Sequence, residues 1–355
     1  MKAKIIREPY GFIHQDPSPL KDVYGGATGA IWVECMRIRP DSGDSDSVIV
    51  FSHPIGGGSF LPIVSALAKQ GHHVIYCNPR YRGNDTALIM EKCVLDLGAC
   101  IKNAKKRFGY SKIILGGWSG GGSLSLFYQE QAEQPSIKQT PAGDEVDLIG
   151  AALMPADAIL LLAAHVSRSV TMTEWMDPSI LDENKPDERD VNLNIYNPNC
   201  PHQPKYSEEF VATFRKAQIA RNQRITDWVK EKLVDIRHSD NPYAEHCFCV
   251  YGTMADVRWT DPTQDPSDRP PYTCYMGNPK IANDGPVGLG RFTNLRSWLS
   301  QWSYSESNAN GIKNAQHISC PVLVINNTAD LACTCLLYTS PSPRDATLSR
   351  MPSSA

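Results

Sequence analysis

Apolar residues along the first third of the chain fall into two alternating periods. Ser47–Phe51 (SVIVF) is a short β-branched run that stops at a glycine cluster, and His73–Cys77 (HVIYC) is a second that stops at Asn78-Pro79. From Ala87 to Phe108 the period lengthens, with Val94, Leu97 and Ile101 recurring at helical spacing. Lys112–Leu115 (KIIL) returns to the strand pattern, Ser123–Gln131 suits a helix, and Ile159–Leu162 forms the strand-like centre of an apolar segment from Leu148 to Ala164. Strands alternating with helices predict an α/β fold, a mostly parallel sheet covered on both faces.

The pattern then changes. From about Val166 to Tyr304 the chain is rich in Pro, Asp, Asn and Trp, and one long helical stretch runs from Glu208 to Ile236 behind Ser207 as N-cap. Phe210, Phe214, Ala217, Ile225, Trp228, Val229, Leu233 and Ile236 form its apolar side. Arg215, Lys216, Arg221, Arg224, Lys230 and Glu231 read as a solvated face in preference to a nucleic-acid surface. The strand pattern returns at Pro321–Ile325 (PVLVI). The expected organisation is a core over residues 1–165, an insertion over 166–305, and a second core piece over 306–334. Residues 335–355 are rich in Ser, Pro and Arg and keep neither period, which predicts a disordered tail. The string LLYTSPSPRDATLSRMPSSA also resembles a translated sequencing-adaptor read, so the expectation is a non-native tail on a C-terminally truncated chain.

Composition narrows the function classes. A 355-residue chain with 41% hydrophobic and 21% charged residues has the material for a large core. Its net charge of -3 comes without a basic stripe, so no nucleic-acid partner is expected. The longest apolar run, Ala158–Ala164, is too short to cross a bilayer, and MKAKIIREPYGF lacks the pattern of a leader, so no membrane partner is expected. Eleven cysteines without a CxxC pair read as free thiols in a reducing cytoplasm. No metal-ligand spacing and no cofactor motif appears, so neither a metal nor a cofactor is expected.

The candidate chemistry lies at the ends of strands. KIILGGWSGGGSLSLF reads as strand, sharp turn, helix, with Gly117 and Gly121 framing Ser119 as G-x-S-x-G. A nucleophile elbow needs this arrangement, because small neighbours let a strained turn expose the serine. The N–H of Gly120, at the start of the helix, is a natural oxyanion donor. A phosphate-binding loop is excluded, because no Lys-Ser or Lys-Thr follows the glycines. After the SVIVF strand comes His53-Pro54-Ile55-Gly56-Gly57-Gly58, whose Ile55 or Gly56 N–H is positioned as a second donor, with His53 shaping the loop. Asn78-Pro79-Arg80-Tyr81-Arg82-Gly83 reads as structural, with Arg80 or Arg82 tying loops together. PVLVINNTAD ends at Asp330, in the loop after a late strand, where the order Ser, acid, His puts the acid. Asp157 is a weaker rival because it precedes its strand.

Together HPIGGG, GWSGG and PVLVINNTAD resemble the α/β-hydrolase superfamily of serine hydrolases and esterases, over about residues 27–165 and 318–334. The resemblance implies an α/β-hydrolase fold with a helical cap insertion, Ser119 as nucleophile, Asp330 as triad acid, and Gly120 with Ile55 or Gly56 as oxyanion donors. Trp118 and His165 would border the substrate. One departure is plain: no histidine follows His317, which itself precedes the PVLVI strand, so the base of a triad is absent from this sequence. His72, His73, His238 and His246 carry no motif. Trp175, Trp228, Trp259, Trp298 and Trp302 lie in the insertion, where they either line an apolar pocket or form its core. The expected activity is hydrolysis of a small to medium, fairly apolar ester or lactone, a small-molecule partner, in a chain inactive without its base. The alternatives are C–C hydrolase, lyase or haloperoxidase-like chemistry on the same fold, or a non-catalytic ligand-binding protein.

Overall fold

A computed structural model describes residues 4–18, 20–24, 29–266, 268–333 and 348–351. The described residues divide into two compact units, those among 4–167 with 308–325, and those among 168–307 with 326–333. The expected second core piece, 306–334, is therefore split at Ile325. Residues 335–347 and 352–355 of the expected tail lie outside the described residues, whereas Leu348–Met351 runs as a strand, which LSRM does not announce.

The first unit is built on one sheet. Its strands are β1 (Ile5–Gln15), β2 (Ala30–Pro40), β3 (Ser47–Ser52), β4 (Val74–Asn78), β5 (Lys112–Ser119) and β6 (Ala158–Ala164). β7 (Cys247–Cys249) and β8 (Phe292–Asn294) pair antiparallel in the second unit. β9 (Val322–Asn327) and β10 (Leu348–Met351) complete the order β1-β2-β4-β3-β5-β6-β9-β10. From β4 across to β9 the pairings are parallel, and β2 is antiparallel to both of its neighbours, β1 and β4. The expected strands are all present, and so are the two expected helices, α2 (Met90–Phe108) and α3 (Gly121–Glu133); α1 (Pro62–Lys69), between β3 and β4, was not expected.

The β1–β2 hairpin is what hydrophobic periodicity passes over. IIREPYGFIHQ breaks alternation with Pro9 and Gly11. Proline is tolerated because β1 is the edge strand, where an N–H need not be paired. Gly11 is covered by the Trp32 ring: a Cβ there would lie 2.1 Å from Trp32 Cζ2. Behind the hairpin, Ile38, Ile49, Phe51, Val74 and Tyr76 pack against Val64 and Ala68 of α1. The opposite strand face turns Cys35 and Cys77 toward α2, whose Val94, Leu97 and Ile101 are fully buried as their spacing predicts.

Arg80 holds the N-terminal segment to this core. Its guanidinium is fully buried and donates to both oxygens of Asp96 on α2 and to Asp16 after β1. Its own N–H donates to Asp96 Oδ2 at 2.9 Å. Lys92 adds a 3.0 Å pair to Asp22, which also accepts from Tyr81. The neighbouring carboxylates hold Arg80 above the usual guanidinium range against the opposing effect of burial. Arg82 makes an exposed pair with Glu34, so of the two arginines Arg80 is the structural tie.

The second unit contains α4 (Arg168–Trp175) and α5 (Glu208–Arg237). Ser207 caps α5, its hydroxyl accepting from Phe210 N–H at 3.2 Å. One expectation for α5 is corrected. Arg221 is not on a solvated face but buried, donating to Glu183 and to the carbonyls of Asp177, Gly252 and Tyr251. Arg215 likewise pairs with Asp256. A helix period records which faces are covered by apolar residues; it does not record loops that bring carbonyls to an arginine.

Among the described residues no helix is long and apolar enough to cross a membrane. Replacing Arg80 with Met leaves the buried carboxylate of Asp96 without its cation. We expect a loss of about 3–5 kcal/mol in unfolding free energy, read by urea denaturation at unchanged m-value.

Candidate active site

β5 ends on Ser119 at a φ of +51°, in the left-handed region, and Gly120 returns to φ -59° as the first residue before α3. A non-glycine residue held there costs about 1–2 kcal/mol, so the surroundings must impose it. They do so by packing backbone on backbone. A Cβ on Gly121 would sit 2.1 Å from the Ser52 carbonyl oxygen at the end of β3. A Cβ on Gly117 would meet Gly121 O at 2.8 Å, and one on Gly122 would meet His165 O at 2.6 Å. The β5–β6 register shifts between Trp118 and Ser119, and His165 N–H donates to Ser119 O at 2.8 Å. The turn is thus wedged between the ends of β3 and β6, with Ser119 partly exposed.

The His53–Gly58 loop leaves β3 beside this turn. The His53 ring lies 5.8 Å from the Trp118 ring. Gly56 and Gly57 both have positive φ, and a Cβ on Gly56 would lie 2.7 Å from Asn78 Oδ1. Asn78 Oδ1 accepts from Gly57 N–H at 2.8 Å, a tie between the ends of β3 and β4 that no motif signalled. Both expected loop donors already have partners. Gly56 N–H donates to His53 O at 2.7 Å, closing a turn. Ile55 N–H donates to His53 Nδ1 at a longer 3.3 Å. That bond requires Nδ1 to be unprotonated, and its length makes Ile55 the donor more easily redirected to a substrate oxygen.

Ser119, Trp118, Gly120, the Ile55–Gly56 loop and His165 all belong to the first unit and meet at the ends of β3, β5 and β6. Asp330 belongs to the second unit, in the turn after β9. There its Oδ1 accepts from the N–H groups of Ala332 and Cys333, both at 2.8 Å. This is the local turn capping that makes aspartate common in loops. No hydrogen bond is recorded to Oδ2 among the described residues. Asp157 is fixed to β5 instead: its carboxylate accepts from Ile113 N–H at 2.8 Å.

The histidines without motifs have local partners. His73 bonds Tyr110 at 2.8 Å, His238 bonds Val234 O at 2.8 Å, and His317 pairs with Glu130 at 2.9 Å. Of the five tryptophans in the second unit, Trp175, Trp259, Trp298 and Trp302 are essentially fully buried and form its core. Trp228 alone among them borders an open cavity there, of about 610 Å³, with Phe248, Tyr251 and Arg224. Of the ten described cysteines all but Cys247 are at least half covered, and none is in a disulfide.

A family model described as alpha/beta hydrolase fold matches residues 47–139, from β3 to just past α3. Among solved structures the chain is similar to a hypothetical protein from Pseudomonas aeruginosa, at 11% identity over 99% of this chain and 87% of that one, with a TM-score of 0.49. It is also similar to esterase B from Lactobacillus rhamnosis, at 12% identity over 99% and 75% with a TM-score of 0.43. Esterase Est22 matches at 20% identity over 46% of this chain and 45% of that one, with a TM-score of 0.31. The chain thus spans about half the length of esterase Est22. No curated protein matches it at a significant level.

The positive φ at Ser119 gives a stability signature opposite to that of most active-site changes. Ser119→Gly should raise unfolding free energy by about 1 kcal/mol relative to Ser119→Ala, which keeps the strain. Paired guanidinium denaturation curves read the difference; equal midpoints would mean the turn is not strained.

Proposed function

We propose that this chain, which belongs to the α/β-hydrolase superfamily, is built for acyl transfer from an ester or lactone to water through Ser119. The observation that carries the reading is the left-handed Ser119 at a strand-to-helix turn, held there by Gly121 against the Ser52 carbonyl. In the proposed reaction Ser119 Oγ attacks the carbonyl carbon. The N–H groups of Gly120 and Ile55 stabilise the oxyanion, Ile55 giving up its long bond to His53. Collapse expels the alcohol, and water then releases the acid from the acyl-enzyme. Asp330 would orient the histidine that takes the Ser119 proton, in the order Ser, acid, His.

No histidine occurs among residues 318–355, so the sequence supplies no base in that order. We therefore expect the 355-residue chain to be inactive or nearly so, with residual rate on the order of 10³-fold over water from the oxyanion donors and binding. Trp118 and His165, beside Ser119, would border a small to medium substrate. The cap role expected for residues 166–305 remains part of this proposal, as does a cytoplasmic location. The buried tryptophans lend no support to an aromatic-lined pocket, so the apolar character of the substrate rests on the resemblance to esterases. A ligand-binding role without turnover is the second reading, and the missing histidine is the observation that favours it.

The test is a fluorophosphonate probe and a panel of p-nitrophenyl esters. They are applied to this chain and, since residues 335–355 are proposed to be non-native, to a chain carrying the source gene's own coding sequence beyond Thr334. We expect labelling and hydrolysis in the second, both abolished by Ser119→Ala. Labelling that survives Ser119→Ala removes Ser119 from the mechanism, and cleavage of carbon–carbon substrates in place of esters changes the reaction class. An authentic end without a histidine after Asp330 favours binding without turnover.

A further inference from the structure

Three cysteines from distant parts of the sequence meet inside the first unit. Cys35 on β2 lies opposite Cys77 on β4, and Cys100 reaches them from α2. They are 4%, 0% and 0% exposed, and their Sγ atoms all lie within 4.8 Å of one another. Cys35 and Cys100 approach to 3.7 Å. Sulfurs bound at about 2.3 Å to one zinc ion stand about 3.8 Å apart in a tetrahedron and about 4.0 Å apart in a trigonal plane. The triangle is therefore already close to the size that one ion demands. The separations along the chain match no ligand motif, which is why spacing alone did not find the group.

A fourth group stands at the same place. Tyr10 on β1 is the cross-strand partner of Cys35, and its buried hydroxyl has no nitrogen or oxygen partner among the described residues. The three sulfurs are its electrostatic neighbours. The Arg107 guanidinium lies 5.0 Å from the Tyr10 ring centroid.

We propose that Cys35, Cys77 and Cys100 form a buried site for one soft, thiophilic d¹⁰ metal ion, typified by zinc(II), with the Tyr10 hydroxyl as fourth ligand. Three thiols and one divalent ion give a tris-thiolate complex of net charge -1 and release three protons; nothing is oxidised or reduced. The ion would pin α2 to β2 and β4, and β4 ends at Asn78, which holds Gly57 of the His53–Gly58 loop. This site is independent of the serine chemistry proposed above.

The full chain, expressed with zinc and purified under reducing conditions without chelator, should carry about one zinc per molecule. After metal removal, cobalt(II) should give a thiolate-to-cobalt charge-transfer band that zinc abolishes. Cys35→Ser, Cys77→Ser and Cys100→Ser should each reduce that band to about a tenth or less. The double variant C247S/C249S should keep it, and Tyr10→Phe should keep the charge-transfer band while altering the ligand-field spectrum. If the core variants do not fold, the unaltered chain decides. Zinc should raise its Tm and protect Cys35, Cys77 and Cys100, but not Cys247, from alkylation in moderate urea. No bound zinc, a full band in any folded core variant, loss of the band in C247S/C249S, or equal alkylation with and without zinc would each overturn the proposal.

Discussion

The contact between Gly121 and the Ser52 carbonyl sets the geometry at this end of the sheet. With 2.1 Å between that oxygen and the place a Cβ would occupy, only glycine lets α3 begin so close to β3. That closeness turns the chain sharply after β5 and puts Ser119 at positive φ. The same contact brings the loop leaving Ser52 alongside the turn, so Ser119 and the Ile55 N–H share one rim without a side chain to link them. Gly122 repeats the device against His165 on the other flank. A parallel sheet makes this economical: the ends of neighbouring strands lie together, and each contributes a loop.

A second constraint acts at the outer strands. β2 runs against the direction of the parallel strands, and the β1–β2 hairpin joins the sheet through one partner, β4. Arg80 compensates. Standing just past β4, it gathers Asp16 from the end of β1 and Asp96 from α2, while Lys92 takes Asp22. Buried carboxylates and cations are costly singly and tolerable only as a closed set. The arrangement therefore fixes the N-terminal segment in one position, which apolar packing on an edge strand alone would specify loosely.

What the sequence made legible follows from which forces leave a period. β3, β4, β5 and β6 are largely buried strands and β9 is a half-covered one, and each appears as an apolar run within a few residues of its observed ends. α2 and α5 show the helical repeat because one face of each is covered. β1 was illegible because Pro9 and Gly11 interrupt its alternation and Trp32, a residue of the next strand, supplies the missing side chain. Arg221 was misread for a related reason: its four acceptors come from loops far along the chain. At the candidate site the glycines and Ser119 could be read directly, since backbone crowding demands those residue types. The partners of Ile55 and Gly56, the tie from Asn78 and the turn-capping by Asp330 could not, because each is a hydrogen bond between groups any loop carries.

The two loop donors show how much such bonds matter to the chemistry. Gly56 N–H is held at 2.7 Å in a turn whose opening would also disturb the positive-φ pair Gly56–Gly57. Redirecting it toward an oxyanion would dismantle the loop that positions it. Ile55 N–H makes only the 3.3 Å contact with His53 Nδ1, and His53 is packed against Trp118 next to the serine. A substrate oxygen entering there replaces a long, neutral bond with a charge-assisted one, a gain that grows as negative charge develops. The exchange costs the loop nothing in shape. A donor satisfied weakly before reaction, and strongly only when the oxyanion forms, favours the transition state over the resting state. On that argument Ile55, and not Gly56, would be the partner of Gly120 in the proposed reaction. In the proposed reaction His53 would then act as a placeholder for the oxyanion and not as its base.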